Sequence, residues 1–114
     1  MQIHQSSRDG VTVVAPTGRI DTTTSPVLED AVRRAVDEGA RALLIDLAGV
    51  EYISSAGLRI FLVLAKRMRG IEGRVVLCGM GQPVQHVFQL AGFLPLFTIE
   101  PSREAAFTRL TSSP

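Results

Sequence analysis

The chain has 114 residues, and its twelve basic and eleven acidic side chains leave a net charge of +1. This length fits one compact domain, and a charge so close to zero supplies no electrostatic attraction to nucleic acid or to an anionic membrane. Cys78 is the single cysteine, which excludes an internal disulfide and a thiolate metal cage. With no signal-peptide pattern and no apolar run near the ~20 residues that span a bilayer, we expect a soluble cytoplasmic protein.

The predicted secondary structure begins with a hairpin. Residues 11–20 are rich in β-branched side chains and predict a strand, and residues 2–7 predict a weaker one. Asp9-Gly10 between them is typical of a hairpin turn, because glycine adopts the positive φ that such turns require. These two strands are therefore expected to pair.

Residues 25–39 change to helical spacing, with apolar side chains on one face and charged ones on the other. Ser25 suits the N-cap, Pro26 suits the first helical position, and Gly39 marks the end of the helix. Residues 42–47, ALLIDL, then form a short apolar run, which predicts a strand that is covered on both faces.

The second half of the chain alternates the same two patterns. Helices are predicted over 56–69, 83–92 and 102–110, and strands over 74–78 and 96–99, the last at a sheet edge. This β-β-α-β-α-β-α-β-α order predicts an α/β fold with a mixed, mostly parallel sheet and helices packed on it. We expect a single domain over residues 1–110, followed by a short flexible tail at 111–114.

The sequence contains no recognisable catalytic constellation. His4 and His86 fall in a predicted strand and a predicted helix, without a nucleophile and a carboxylate beside them. No metal-ligand spacing is present, and the Gly79-Met80-Gly81 turn lacks the third glycine of a dinucleotide fingerprint. We therefore expect no enzyme activity, no metal and no other cofactor.

Basic side chains cluster along the second predicted helix and the following strand: Arg59, Lys66, Arg67, Arg69 and Arg74. A solvated helix face is the simplest interpretation of this cluster. A contact surface for an acidic partner is the functional alternative. Nucleic acid fits least well, because no aromatic residues or recognition motif accompany the charges.

Functional loops in such sheets follow the carboxyl ends of strands, which here are residues 19–25 and 48–57. In the second loop, Ser54-Ser55-Ala56-Gly57 opens an amphipathic helix. One serine can be the N-cap, while the small residues after it would expose a hydroxyl and allow a partner's backbone to approach. A phosphoryl group here would face the free N–H groups of the helix. It would also add about −1.5 to −2 charges beside Asp21 in the other loop.

Two motifs in this order resemble those of the bacterial anti-sigma factor antagonists of the STAS family. They are GRID at 18–21, followed by TTTSP, and VEYISSAGLR at 50–59, preceded by the strand LLIDL. The resemblance extends from the first hairpin to the last helix. It implies the STAS fold, with a mixed sheet of four to five strands and helices packed on one side.

The resemblance also implies partner switching. An unphosphorylated antagonist binds an anti-sigma factor that is also a serine kinase, which frees the sigma factor; phosphorylation breaks this complex and a PP2C-type phosphatase restores it. Ser55 matches the phosphoacceptor, and Ser54, which stands where an Asp is frequent, is the fallback acceptor. The residues implied to contact the partner are Asp21, Thr22, Thr23, Ser54, Ser55, Ala56, Gly57 and Arg59.

Two other roles stay open. The chain could be a STAS subunit of a lipid-transport ABC complex or of a sensory assembly, which would make it a docking module independent of phosphorylation. It could also be a small flavodoxin-like enzyme or nucleotide-binding protein, although the missing catalytic residues argue against this.

Overall fold

The computed structural model describes residues 1–112, which form six strands, four α-helices and a short 3-10 turn. In chain order, these elements are β1 Gln2–Arg8, β2 Val11–Ile20, α1 Ser25–Asp37, β3 Ala42–Asp46, β4 Val50–Ile53, α2 Ser55–Gly70, β5 Arg74–Cys78, α3 Gln82–Leu90, the turn Leu94–Leu96, β6 Thr98–Glu100 and α4 Arg103–Thr111. No helix within residues 1–112 combines the length and apolar character needed to cross a membrane.

The sheet has the order β1-β2-β3-β5-β6, with β4 paired to β2 beside this path. Only β1 is antiparallel to its neighbour, so the predicted mixed, mostly parallel sheet is confirmed. Besides its antiparallel pairing with β1, strand β2 pairs with two parallel strands: its residues 12–14 pair with β3, and its residues 18–20 pair with β4. This double pairing places the ends of β2 and β4 side by side.

The sheet contains six strands, whereas four to five were expected. The additional strand is β4. Residues 50–53 lie in the predicted loop 48–57 but form this strand in the structure. Only two of its four side chains, Val50 and Ile53, are buried, and so short a strand shows no clear alternation in the sequence. Strand β6 lies at the predicted edge but begins at Thr98, because Leu94–Leu96 form the 3-10 turn.

Helices cover both faces of the sheet. In β3, Leu43 and Ile45 point into the larger core, to which α1, α2 and α3 contribute. Leu44 points the other way and packs with Phe107 and Leu110 of α4. The expectation that all helices lie on one side is therefore wrong for α4. This helix covers an apolar face that would otherwise be exposed, and it explains why ALLIDL is apolar on both faces.

Charged contacts attach α4 to the sheet. The guanidinium of Arg103 donates to Asp46 Oδ2 at 2.8 and 3.0 Å, and that of Arg109 donates to Glu100 Oε2 at 2.9 and 3.1 Å. Cys78 is fully buried beneath this helix, and burial, aided by the negative charge of Asp46, raises the pKa of its thiol to about 12. The thiol is thus protonated at neutral pH, as expected of a core residue rather than a nucleophile.

The last residue of α4 overlaps the predicted tail at 111–114. Thr111 is the last residue of the helix, and the Ser112 N–H donates to the carbonyl oxygen of Thr108 at 3.1 Å. Residues 113–114 of the predicted tail lie outside the described residues.

Candidate functional site

The fold brings the two predicted loops together. Because β2 and β4 run parallel and Ile20 pairs with Ile53, the segments that follow the two strands begin at the same edge of the sheet. The backbone N–H of Ser54 donates to the carbonyl oxygen of Ile20 at 2.8 Å, which joins the loop before α1 to the start of α2. We call this region the loop surface and define it by Asp21, Thr22, Thr23, Ser54, Ser55, Ala56 and Arg59.

The two adjacent serines have different environments. Ser54 is the N-cap of α2, with extended backbone angles (φ −93°, ψ 173°), and its Oγ accepts the N–H of Gly57 at 3.3 Å. Ser55 is the first helical residue, one position before the predicted start, and its side chain is exposed. No hydrogen bond within residues 1–112 involves its hydroxyl. Ser54 therefore serves the helix, while Ser55 faces solvent.

This difference predicts unequal effects on stability. We expect Ser54→Ala to lower the free energy of unfolding by about 1 kcal/mol, because it removes a cap. Ser55→Ala should change it by no more than about 0.5 kcal/mol, as for an exposed side chain that makes no hydrogen bond within residues 1–112. Urea denaturation of both variants beside the parent protein measures the two values. A larger loss for Ser55→Ala would show that Ser55 is the structural serine.

Gly57 is a packing residue that the sequence pattern did not identify as such. It is buried, and a Cβ at this position would lie 2.6 Å from Ile20 Cγ2 and 2.8 Å from Ile53 Cγ1. The missing side chain lets α2 begin directly against the ends of β2 and β4. Gly57 therefore determines how closely the start of α2 approaches the two strands, while its contact with a partner stays a prediction. Ala56, by contrast, is half-exposed.

The loop before α1 is organised around Asp21. Its Oδ1 accepts the backbone N–H groups of Thr23 and Thr24, both at 3.0 Å, and the guanidinium of Arg19 lies 4.0 Å from Oδ2. The pKa of Asp21 is held below its usual value, first by the backbone N–H of Thr24 and then by smaller contributions from the Thr24 hydroxyl, Thr23 and Arg19. The loop therefore presents a carboxylate that is ionised at neutral pH. Thr22 and Thr23 beside it are exposed.

The N-terminus of α1 differs from the prediction. Thr24, rather than Ser25, occupies the N-cap position, and Ser25 is a buried first residue of the helix. The Thr24 hydroxyl makes no cap hydrogen bond; it donates to the carbonyl oxygen of Arg19 at 2.6 Å and accepts the N–H of Asp21 at 2.9 Å. The Thr24 hydroxyl therefore links residues within the loop instead of capping the helix. The preference of threonine for capping positions does not predict these loop hydrogen bonds.

Arg19 and Tyr52 extend the loop surface along the sheet. They are paired across β2 and β4, and the guanidinium lies 4.3 Å from the centre of the tyrosine ring. Tyr52 is 39% exposed, so one part of its ring remains open to a partner. The sequence pattern does not indicate a role for Tyr52, because its position beside Arg19 follows only from the pairing of β2 with β4.

A shallow groove of about 400 Å³ runs between the N-termini of α1 and α2. Its lining residues are Ser25, Pro26, Glu29, Ser55, Ala56, Arg59 and Ile60. Two apolar side chains of the same helices, Val27 and Val63, are about half exposed. The groove therefore combines serine hydroxyls, one acid, one base and apolar side chains, a mixture of polar and apolar surface that also occurs in protein–protein interfaces.

The other predicted features stay apart from this groove. His4 lies on β1 and His86 on α3, and within residues 1–112 no group of three or more His, Cys, Asp or Glu side chains could hold a metal ion. The basic cluster is also divided: Arg67 pairs with Asp37, and Arg74 donates to the carbonyl oxygen of Arg109 at 2.6 Å. Of that cluster, Arg59 is the member that lines the groove.

Comparison with known proteins gives consistent results. The STAS domain family model matches residues 2–106. The Bordetella bronchiseptica protein BtrV, named as an anti-sigma factor antagonist, is 38% identical over 106 residues, which is 93% of this chain and 91% of BtrV. The crystal structure of an anti-sigma factor antagonist from Mycobacterium paratuberculosis superimposes with a TM-score of 0.91 at 31% identity, covering 97% of this chain and 94% of that one. The unphosphorylated antagonist SpoIIAA has the same fold at 19% identity, with a TM-score of 0.80 over 95% of each chain.

Proposed function

Because this chain belongs to the STAS domain family, we propose that it is an anti-sigma factor antagonist whose binding is switched off by phosphorylation of Ser55. Its unmodified form binds an anti-sigma factor that is also a serine kinase, and this binding releases the sigma factor. Phosphorylation by the same kinase separates the two proteins, and a PP2C-type phosphatase restores the binding form. The chain acts in the cytoplasm as a binding module, not as an enzyme.

The observation that carries this proposal is the exposed hydroxyl of Ser55 at the start of α2. Its neighbour Ser54 is already used as the helix cap, so Ser55 is the more accessible of the two acceptors. The name of BtrV, which aligns with 93% of this chain, supports the antagonist role. Asp21, Thr22 and Thr23 lie at the same edge of the sheet and complete the surface that we propose for partner contact.

Electrostatics supply the reason why a phosphate would break the complex. The phosphate adds about −1.5 to −2 charges at pH 7, at an edge of the sheet that already carries the ionised carboxylate of Asp21. A docked partner would strip water from this charge, and the loss of hydration would cost binding free energy. The same phosphate on the free protein stays hydrated, so the modification acts on binding and not on folding.

The acceptor can be identified directly. We expect incubation with ATP and a candidate anti-sigma factor kinase to place one phosphate on Ser55, as mapped by peptide mass spectrometry. Ser55→Ala should abolish the modification, and Ser54→Ala, the matched control, should retain it. A phosphate found on Ser54 would make that residue the acceptor. No phosphate, with binding intact in Ser55→Asp, would favour the docking-module role instead.

A further inference from the structure

Arg59 is a cation that has no ionic or hydrogen-bonding partner for its guanidinium within residues 1–112. Most arginines of residues 1–112 have a carboxylate oxygen within 4 Å. Arg41 and Arg74 instead donate to backbone carbonyl oxygens. Arg59 and Arg69 do neither within the described chain, and both are exposed on α2. The fold thus leaves the guanidinium of Arg59 free to bind something else.

Position decides what Arg59 can reach. It lies four residues after Ser55 in α2, and both residues line the groove between α1 and α2. Side chains four residues apart on a helix are neighbours, with Cβ atoms about 5–6 Å apart, and the favourable order places the acidic group N-terminal to the basic one. A phosphate on Ser55 followed by Arg59 has this order.

The chemistry of the two groups also matches. A guanidinium offers paired N–H donors in a plane, which bind two phosphate oxygens at once. The other charged residue that lines the groove, Glu29, forms no ion pair with Arg59, so no carboxylate of the described chain has to be displaced. Asp21, the nearest acid of the preceding loop, is engaged with its own backbone and Arg19.

We infer that Arg59 is the internal counter-ion of a phosphate on Ser55 and that, in the unmodified protein, it is open to a carboxylate of the binding partner. The inference rests on the proposed function and adds a second effect of phosphorylation. Before modification, Arg59 is exposed and makes no ion pair with the carboxylates of residues 1–112. After modification, Arg59 turns to the phosphate of its own chain. The switch therefore adds negative charge and at the same time withdraws the positive side chain of the groove.

The test uses protein with phosphoserine incorporated at position 55 during translation, so that no kinase is required. Because Arg59 stabilises the doubly charged phosphate, it should lower the second pKa of this group, which phosphorus NMR measures by pH titration. We expect Arg59→Gln to raise that pKa by roughly 0.3 pH unit. Arg59→Lys should restore part of the shift, and 1 M salt should reduce it.

Arg69→Gln is the matched control, because Arg69 is also exposed and unpartnered on α2 but does not line the groove. Arg69→Gln should leave the second pKa of the phosphate unchanged. The carboxylates of Glu29 and Asp21 also influence this pKa, but they are present in every variant and so do not affect the comparison. Equal pKa values in Arg59→Gln and Arg69→Gln would overturn the inference. The proposed function fails separately, if the phosphoserine protein binds the anti-sigma factor as tightly as the unmodified protein does.

Discussion

Replacement of Phe61 by alanine is expected to lower the free energy of unfolding by about 3–5 kcal/mol. Phe61 is fully buried in α2, and its ring lies 5.7 Å from that of Phe88 in α3. Phe88 in turn contacts the rings of Phe93 and Phe97. The substitution would therefore remove apolar contacts and open a cavity in the aromatic cluster that joins α2, α3 and the residues flanking the 3-10 turn.

Urea denaturation of Phe61→Ala and the parent protein measures this loss. Val63→Ala is the matched control, since Val63 lies on the same helix but is 55% exposed; we expect a change of no more than about 0.5 kcal/mol. A loss below about 1 kcal/mol for Phe61→Ala would contradict the placement of this ring in a closely packed core.

Phosphorylation of Ser55 is expected to reduce the affinity for the anti-sigma factor by about 100-fold or more, equivalent to a few kcal/mol. The reason is the cost of removing water from a phosphate at a docking surface that also carries Asp21. The folded structure should not change, because Ser55 is exposed and makes no internal hydrogen bond within residues 1–112. Phosphorylation should thus lower the binding affinity, while the urea concentration at half-unfolding stays close to that of the parent protein.

Calorimetric titration of a kinase-inactive anti-sigma factor with the two forms of this chain gives the ratio of affinities. Phosphoserine at Ser6 is the matched control, since it adds the same charge at an exposed site on β1. We expect this control to bind like the unmodified protein. If phosphate at both sites weakens binding equally, the effect is one of net charge, and Ser55 is not the switch.

Local features of the chain were predictable because their determinants lie within a few residues of each other. The pattern placed Ser102 at the start of the last helix, and in the structure its Oγ accepts the N–H of Ala105 at 3.1 Å. Gly39, predicted to end the first helix, comes directly after the C-cap residue Glu38 and has a φ of +106°. The predicted hairpin at Asp9-Gly10 is also confirmed: β1 and β2 pair on either side of it, and both turn residues have positive φ.

Features that depend on distant residues were not predictable in this way. Strand β4 exists because β2 extends past β3 and offers residues 18–20 as a pairing edge. The burial of Gly57 requires Ile20 and Ile53 to meet above it. The position of α4 on the second face of the sheet likewise depends on apolar side chains of three different strands. Strand β4 and the burial of Gly57 leave no periodic pattern in the residues concerned. The apolar run at 42–47 predicts a second covered face but does not indicate that α4 covers it.

The sequence by itself therefore determined the order of helices and strands, the aliphatic core and the segment Ser54–Gly57 at the start of a helix, because propensity, capping and periodicity act locally. Tertiary structure decided which serine is exposed, which residues surround it and that Arg59 makes no ion pair within the described residues 1–112. These properties arise when strands that are distant in the chain pair at one edge of the sheet and bring separate loops together. The surface proposed to switch is thus a product of strand pairing, although each of its residues is visible in the sequence.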